Sequence, residues 1–123
     1  MDAAEAALRE SISIYEPLAT QLPDNAAIQS GLASVYNNLA IEQEQSGQLE
    51  PAANSLALAI QHQQAASVQS PEVSKYQELL AKHIENRLRV LKKLGNVGQP
   101  QPGPEKLPNR YEPEGRFDYI EKS

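Results

Sequence analysis

Lys82, Asn86, Arg89 and Lys93 recur at steps of four, three and four residues. That spacing stacks them along one side of an α-helix. Ammonium, amide and guanidinium groups in such a row can hold a carboxylate or an acidic peptide through charge-assisted hydrogen bonds. The plainer reading is a solvated face that keeps the helix in water. Nothing beside them suggests bond-making chemistry. The sequence has no Gly-rich phosphate loop, no nucleophile elbow and no His or acid pairs at metal-ligand spacing. His62 and His83 stand 21 residues apart without clustered acids, and both are expected to be ordinary surface or edge residues. Cysteine is absent, so disulfides and thiolate metal sites are excluded. The expectation is a chain that is not an enzyme and needs no metal or cofactor.

The helix that carries this row must bury its other side. At about 100° per residue, Val73, Tyr76, Leu80, Ile84, Leu88 and Leu91 form one apolar stripe. Lys75 joins the four polar residues opposite. A second flank, Leu79, Val90 and Leu94, lies roughly a quarter-turn from the main stripe and reads as an uncovered apolar patch. Charge sets this helix apart. Residues 1–70 hold one basic side chain, Arg9, against eight acidic ones, whereas residues 71–95 hold six basic against three acidic. The whole chain carries a net charge of −5. An acidic total without basic residues interleaved among aromatics argues against nucleic acid as a partner.

Its 123 residues suit one domain. The apolar content is mostly Ala, Leu and Ile, which favours helices packed through small residues. Asp2 is placed to cap a first helix running to about Leu22, with Pro17 expected to kink it or end it early. Pro23-Asp24-Asn25 turns the chain. A second helix is expected from about Asn25 to Ser46, stopped at Gly47. A third begins near Leu49, with Pro51 in its first turn, and fades in the polar stretch QHQQAASVQS. Ser70-Pro71-Glu72 reads as the start of a fourth helix, which runs to Leu94 and stops at Gly95-Asn96. The fold class is therefore all-α, with four antiparallel helices. Self-comparison supports pairing them: residues 24–38 align on 72–86 at an offset of 48. Ala6-Ala7 with Ile12 and Ile14 aligns on Ala52-Ala53 with Leu58 and Ile60 at 46.

The segment from Tyr36 to Ala59 has the spacing of two closely packed helices. It runs Tyr36, Leu39-Ala40, a turn at Gly47, then Ala52, Leu56 and Ala59. This pattern resembles the tetratricopeptide repeat, with Gln43 where that family usually has tyrosine and Arg87 where it has leucine. The phrases AALRESISIYEPLATQLPDN, ASVYNNLA and SGQLEPA also resemble the long-helix repeat regions that follow bacterial serine/threonine kinase domains of planctomycete type. The resemblance covers about residues 4–95. The match opens in the second helix of one unit and closes in the first helix of another, so the chain looks cut from a longer array. The resemblance implies a non-catalytic scaffold for protein–protein interaction, with Lys82, Asn86, Arg89 and Lys93 facing a concave groove. Asn37 and Asn38 fall in or beside the corresponding slots of the second helix. It also implies three options for the role: capture of an acidic or C-terminal peptide, a structural cap or self-association module, and a regulatory segment of a linked kinase.

Composition changes after Asn96. VGQPQPGPEKLP holds four of the nine prolines and reads as an extended linker, so residues 1–95 are expected to form the repeat domain and 96–123 a linker and tail. The tail concentrates Tyr111, Phe117 and Tyr119, with Ile120 beside them. It is expected to dock on the flank of Leu79, Val90 and Leu94, in its own chain or in a neighbour's. The sequence has no apolar run long enough to span a membrane and no secretory pattern at Met1. A cytoplasmic location is the corresponding expectation.

Overall fold

The computed structural model describes residues 2–96. They form four helices, α1 (Ala3–Gln21), α2 (Ala26–Gln45), α3 (Leu49–Gln69) and α4 (Ser74–Asn96), with no strand among the described residues. The chain is all-α, and tight turns fold each helix back on the one before it. The expected linker and tail, with Tyr111, Phe117, Tyr119 and Ile120, lie outside the described residues.

Local chemistry places most of the ends. Asp2 accepts a hydrogen bond from the Glu5 N–H at 2.7 Å, and Asn25 one from the Ile28 N–H at 3.0 Å. Both are side-chain caps on helix donors that have no carbonyl partner. Gly47, at φ 80°, closes α2. Its N–H bonds the Glu44 carbonyl while the Gln48 N–H bonds that of Gln43, a Schellman arrangement that needs the left-handed conformation glycine adopts freely.

Three boundary expectations need correction. Pro17 neither ends nor shortens α1, which continues to Gln21. The proline is exposed, so the carbonyl it leaves unbonded can reach water. Ile12 and Tyr15 before it and Ala19 after it pack in one cluster against α2 and α3, which pins both halves. The polar stretch of α3 does not fade either. Its Gln63 and Ser67 are buried; Gln63 Oε1 accepts from Ser30 Oγ at 3.3 Å and Gln69 Nε2 donates to the Pro23 carbonyl at 2.7 Å, although Ser67 Oγ and Gln63 Nε2 have no partner. Finally, α4 starts at Ser74 rather than at Ser70. The Ser70 N–H closes α3 on the Ala66 carbonyl, and its own carbonyl accepts from the Val73 N–H, so Pro71-Glu72 is a turn.

The core has two halves. Ala19, Leu32, Tyr36 and Ala59 pack where α1, α2 and α3 meet, and Ala40, Ala52, Ala53, Leu56 and Val90 where α2, α3 and α4 meet. Alanines at these crossings let the helix axes approach. Gly31 of α2 lies against the Tyr15 side chain of α1. A Cβ there would lie 2.7 Å from the Tyr15 ring.

The α4 face that packs inward overlaps the predicted stripe only at Tyr76 and Leu80, which are half-buried. Val90 is fully buried, Leu94 packs on the second core cluster and Leu79 is half-buried. The flank expected to lie uncovered is thus the one that α3 and α2 cover. Ile84, Leu88 and Leu91 are exposed instead, Leu88 by 63%.

Candidate functional site

Helices α2 and α4 both rest on α3 and meet each other through a row of polar side chains. Glu44 of α2 is the hub. Only 9% of its side chain is exposed, and its carboxylate receives Arg89 Nε at 3.0 Å, Arg89 Nη2 at 2.7 Å and Lys93 Nζ at 2.8 Å. Arg89 Nη1 donates to Asn86 Oδ1 at 2.9 Å, and Asn86 Nδ2 donates to Asn37 Oδ1 at 2.9 Å. The two-pronged guanidinium bond fixes the Arg89 plane, which a lysine could not do. Hydrogen bonding from Arg89 is the largest influence on Glu44; burial opposes it, and with the Lys93 bond added the carboxyl is held down at about 2. The same bond raises Arg89.

Of the six residues expected to bind peptide, the structure therefore joins four, Asn37, Asn86, Arg89 and Lys93, through a carboxylate that sequence reasoning overlooked. Lys82 and Asn38 are exposed. Glu44 could have been found from the internal repeat. Neighbouring units place α2 beside α4, so partners lie 45 to 49 positions apart, as Glu44–Arg89, Asn37–Asn86 and Glu44–Lys93 do.

A second polar cluster joins three helices. Tyr36 donates its hydroxyl proton to Glu16 of α1 and stacks on His62 of α3, with ring centroids 6.0 Å apart and planes 9° apart. His62 Nδ1 lies 2.7 Å from Gln29 Oε1. Burial, then the Glu16 bond, pushes the Tyr36 phenol above its usual value. Burial lowers His62, and the nearby Glu16 charge opposes this. A cleft of about 320 Å³ opens beside Tyr36 between α1, α2 and α3, with Arg9 and Gln43 as its polar edge and Ile12 and Leu58 as apolar walls.

His83 departs further from expectation. Only 2% of it is exposed, and neither ring nitrogen has a hydrogen-bond partner. Burial lowers its pKa. It is a core residue of α4, carried inward by the same rotation that buries Val90. Among the described residues no group of three or more His, Cys, Asp or Glu could hold a metal ion. No described helix is long and apolar enough to cross a membrane.

Fold and site together define an all-α helical hairpin stack with a charged polar seam across one face. Compared with protein-family models, curated proteins and solved structures, the chain matches none.

Proposed function

We propose that this chain is a non-catalytic protein–protein interaction scaffold of the tetratricopeptide type, which takes an acidic or C-terminal peptide segment along the α2–α4 face. The observation that supports it is the seam itself. Two cations, Arg89 and Lys93, share one carboxylate, which leaves the row net positive and holds both donors in place before any ligand arrives. Preorganised donors lose less conformational entropy on binding. Lys82 and Asn38 extend the row at exposed positions. The proposal includes a cytoplasmic setting and no cofactor.

Fluorescence anisotropy with labelled octapeptides tests it, using peptides with three acidic residues and a free C-terminus and the same peptides amidated. Binding should favour the free carboxylate and weaken with salt. Lys82→Glu should weaken it by about tenfold, the effect of losing one charge-assisted contact of about 1.5 kcal/mol. Affinity that ignores both salt and Lys82→Glu would refute the assignment. Circular dichroism of the variant controls for folding.

A further inference from the structure

The two outer helices of the stack are each covered on one side only, and their bare sides match. The turns repeat at a spacing of 48 residues. The Leu22 N–H bonds the Leu18 carbonyl as the Ser70 N–H bonds that of Ala66, and the Asn25 N–H bonds Leu22 as the Val73 N–H bonds Ser70. Helix α1 is therefore the counterpart of α3 at 48, rather than at the 46 suggested by the alanine pairs. The difference matters because two residues rotate a helix by about 200°. In the same way, α4 is the counterpart of α2.

Carried along by 48 residues, the α2–α3 contact predicts which residues of α4 and α1 would meet if those two helices were paired. Tyr36 stacked on His62 becomes Ile84 facing Ile14, which are 40% and 59% exposed. The hydrogen bond from Ser55 to Gln43, 2.7 Å, becomes Ala7 facing Leu91. Ala40 and Leu56, in one core cluster, become Leu88 and Leu8. Gln69 Nε2 donating to the Pro23 carbonyl at 2.7 Å becomes Gln21 facing Pro71, with the same donor and acceptor types. Two polar or aromatic pairs have turned apolar on both sides at once, and the amide-to-carbonyl pair has been kept on both sides. One departure is Arg87 at the position of Leu39, whose Nε is used within the chain on the Ala53 carbonyl at 3.2 Å.

We propose that α4 of one copy takes α1 of a second copy as its missing partner, so that the chain stacks head to tail. The two faces differ, so the contact is heterologous and each added copy presents a fresh end. An outer helix with an apolar face is what a repeat stack exposes where no polar cap closes it. This inference rests on reading the chain as a repeat scaffold. It uses the ends rather than the α2–α4 face, so Lys82→Glu should leave stacking intact even where it abolishes peptide binding.

Sedimentation velocity of the full chain, in a dilution series up to about 1 mM, provides the test. The mass should climb past that of a dimer. Ile84→Asp and Ile14→Asp, both at exposed positions, should each leave monomers, because a carboxylate cannot be buried unpaired at the contact. Mixed together they should give a one-to-one dimer, since the first keeps its α1 face and the second its α4 face. If either fails to fold by circular dichroism, Leu88→Lys and Leu8→Lys replace them. A chain that stays monomeric throughout overturns the proposal. So does an Ile14→Asp variant that associates like the parent, which would mean α4 pairs with α4 or with the tail. A mixture that remains monomeric overturns it as well.

Discussion

Helices α2 and α4 are counterparts 48 residues apart, each entered through a proline turn, yet they end up in opposite situations. Eight residues of α2 are buried and only two of α4, His83 and Val90. Helix α2 is flanked by α1 and α3, whereas α4 has α3 and a thin polar seam to α2. The more regular apolar stripe belongs to α4, the less buried helix. Burial along a helix in a stack is set by how many neighbours it has, and its own periodicity only says which sides could be covered.

That comparison breaks most visibly at paired leucines. Leu56 is almost wholly buried between α2 and α4, and Leu88 is mostly exposed. Leu56→Ala should cost about 3 kcal/mol, from lost transfer energy and the cavity left behind. Leu88→Ala should stay within about 0.5 kcal/mol at concentrations where the chain is monomeric. Urea denaturation of both variants measures the contrast. Equal losses would mean that α4 is covered in a way the isolated chain does not display.

Glycines sharpen it next. Gly31 lies under the Tyr15 ring, while a Cβ at Gly95 would meet nothing within 4 Å. Gly31→Ala should destabilise by about 1–3 kcal/mol through overpacking. Gly95→Ala should be neutral or stabilising by up to about 1 kcal/mol, because alanine favours a helix. Thermal unfolding followed by circular dichroism separates the two signs.

The histidines give a contrast of the same kind at smaller scale. His62 has a ring partner and a hydrogen-bond partner, and His83 has neither. His62→Leu should cost about 1 kcal/mol for its lost bond, while His83→Leu should be neutral or stabilising, since it removes buried nitrogens without partners. Burial lowers both imidazoles, so the neutral forms are the folded ones. Stability should therefore fall as pH drops below about 6.5, where the unfolded chain takes up protons that the native chain resists. Each leucine variant should flatten part of that slope in denaturation curves taken from pH 7 to pH 5.

Much of this architecture was legible in the sequence because turn chemistry is local. Asp2, Asn25, Gly47 and the turn at Pro23 mark helix ends through their own backbone and side-chain geometry. What escaped depended on neighbours. Pro17 looked like a breaker because tertiary packing on both sides of it cannot be read from one helix. The later part of the α4 stripe, Ile84, Leu88 and Leu91, is exposed because periodicity says only which sides could be covered, and the position of α3 decides which one is. In the candidate site, the cations were visible as a row. Their shared carboxylate was not, since Glu44 lies 45 residues from Arg89 and comes near it only when the units stack side by side.

The smallest expected effect lies in that seam, which compares a polar contact with the apolar ones beside it. Arg89 and Lys93 hold the Glu44 carboxyl down at about 2, against an ordinary value of 4.5. A carboxyl lowered in the folded state contributes stability that is fully present above its unfolded value. That contribution is lost as pH falls from about 4.5 towards 2. Both cations are about half exposed, so solvent screens the pairs and the gain at neutral pH should be only about 1 kcal/mol. Glu44→Gln should remove it while keeping the shape of the side chain. The stability gap between parent and variant should then be widest near neutrality, narrow in high salt, and close as the parent is acidified below pH 4. Arg89→Lys keeps the charge but loses the two-pronged geometry, so a loss as large as that of Glu44→Gln would assign the seam's value to the guanidinium fork. A gap that persists unchanged at pH 3 would show that Glu44 acts through packing and not through its charge.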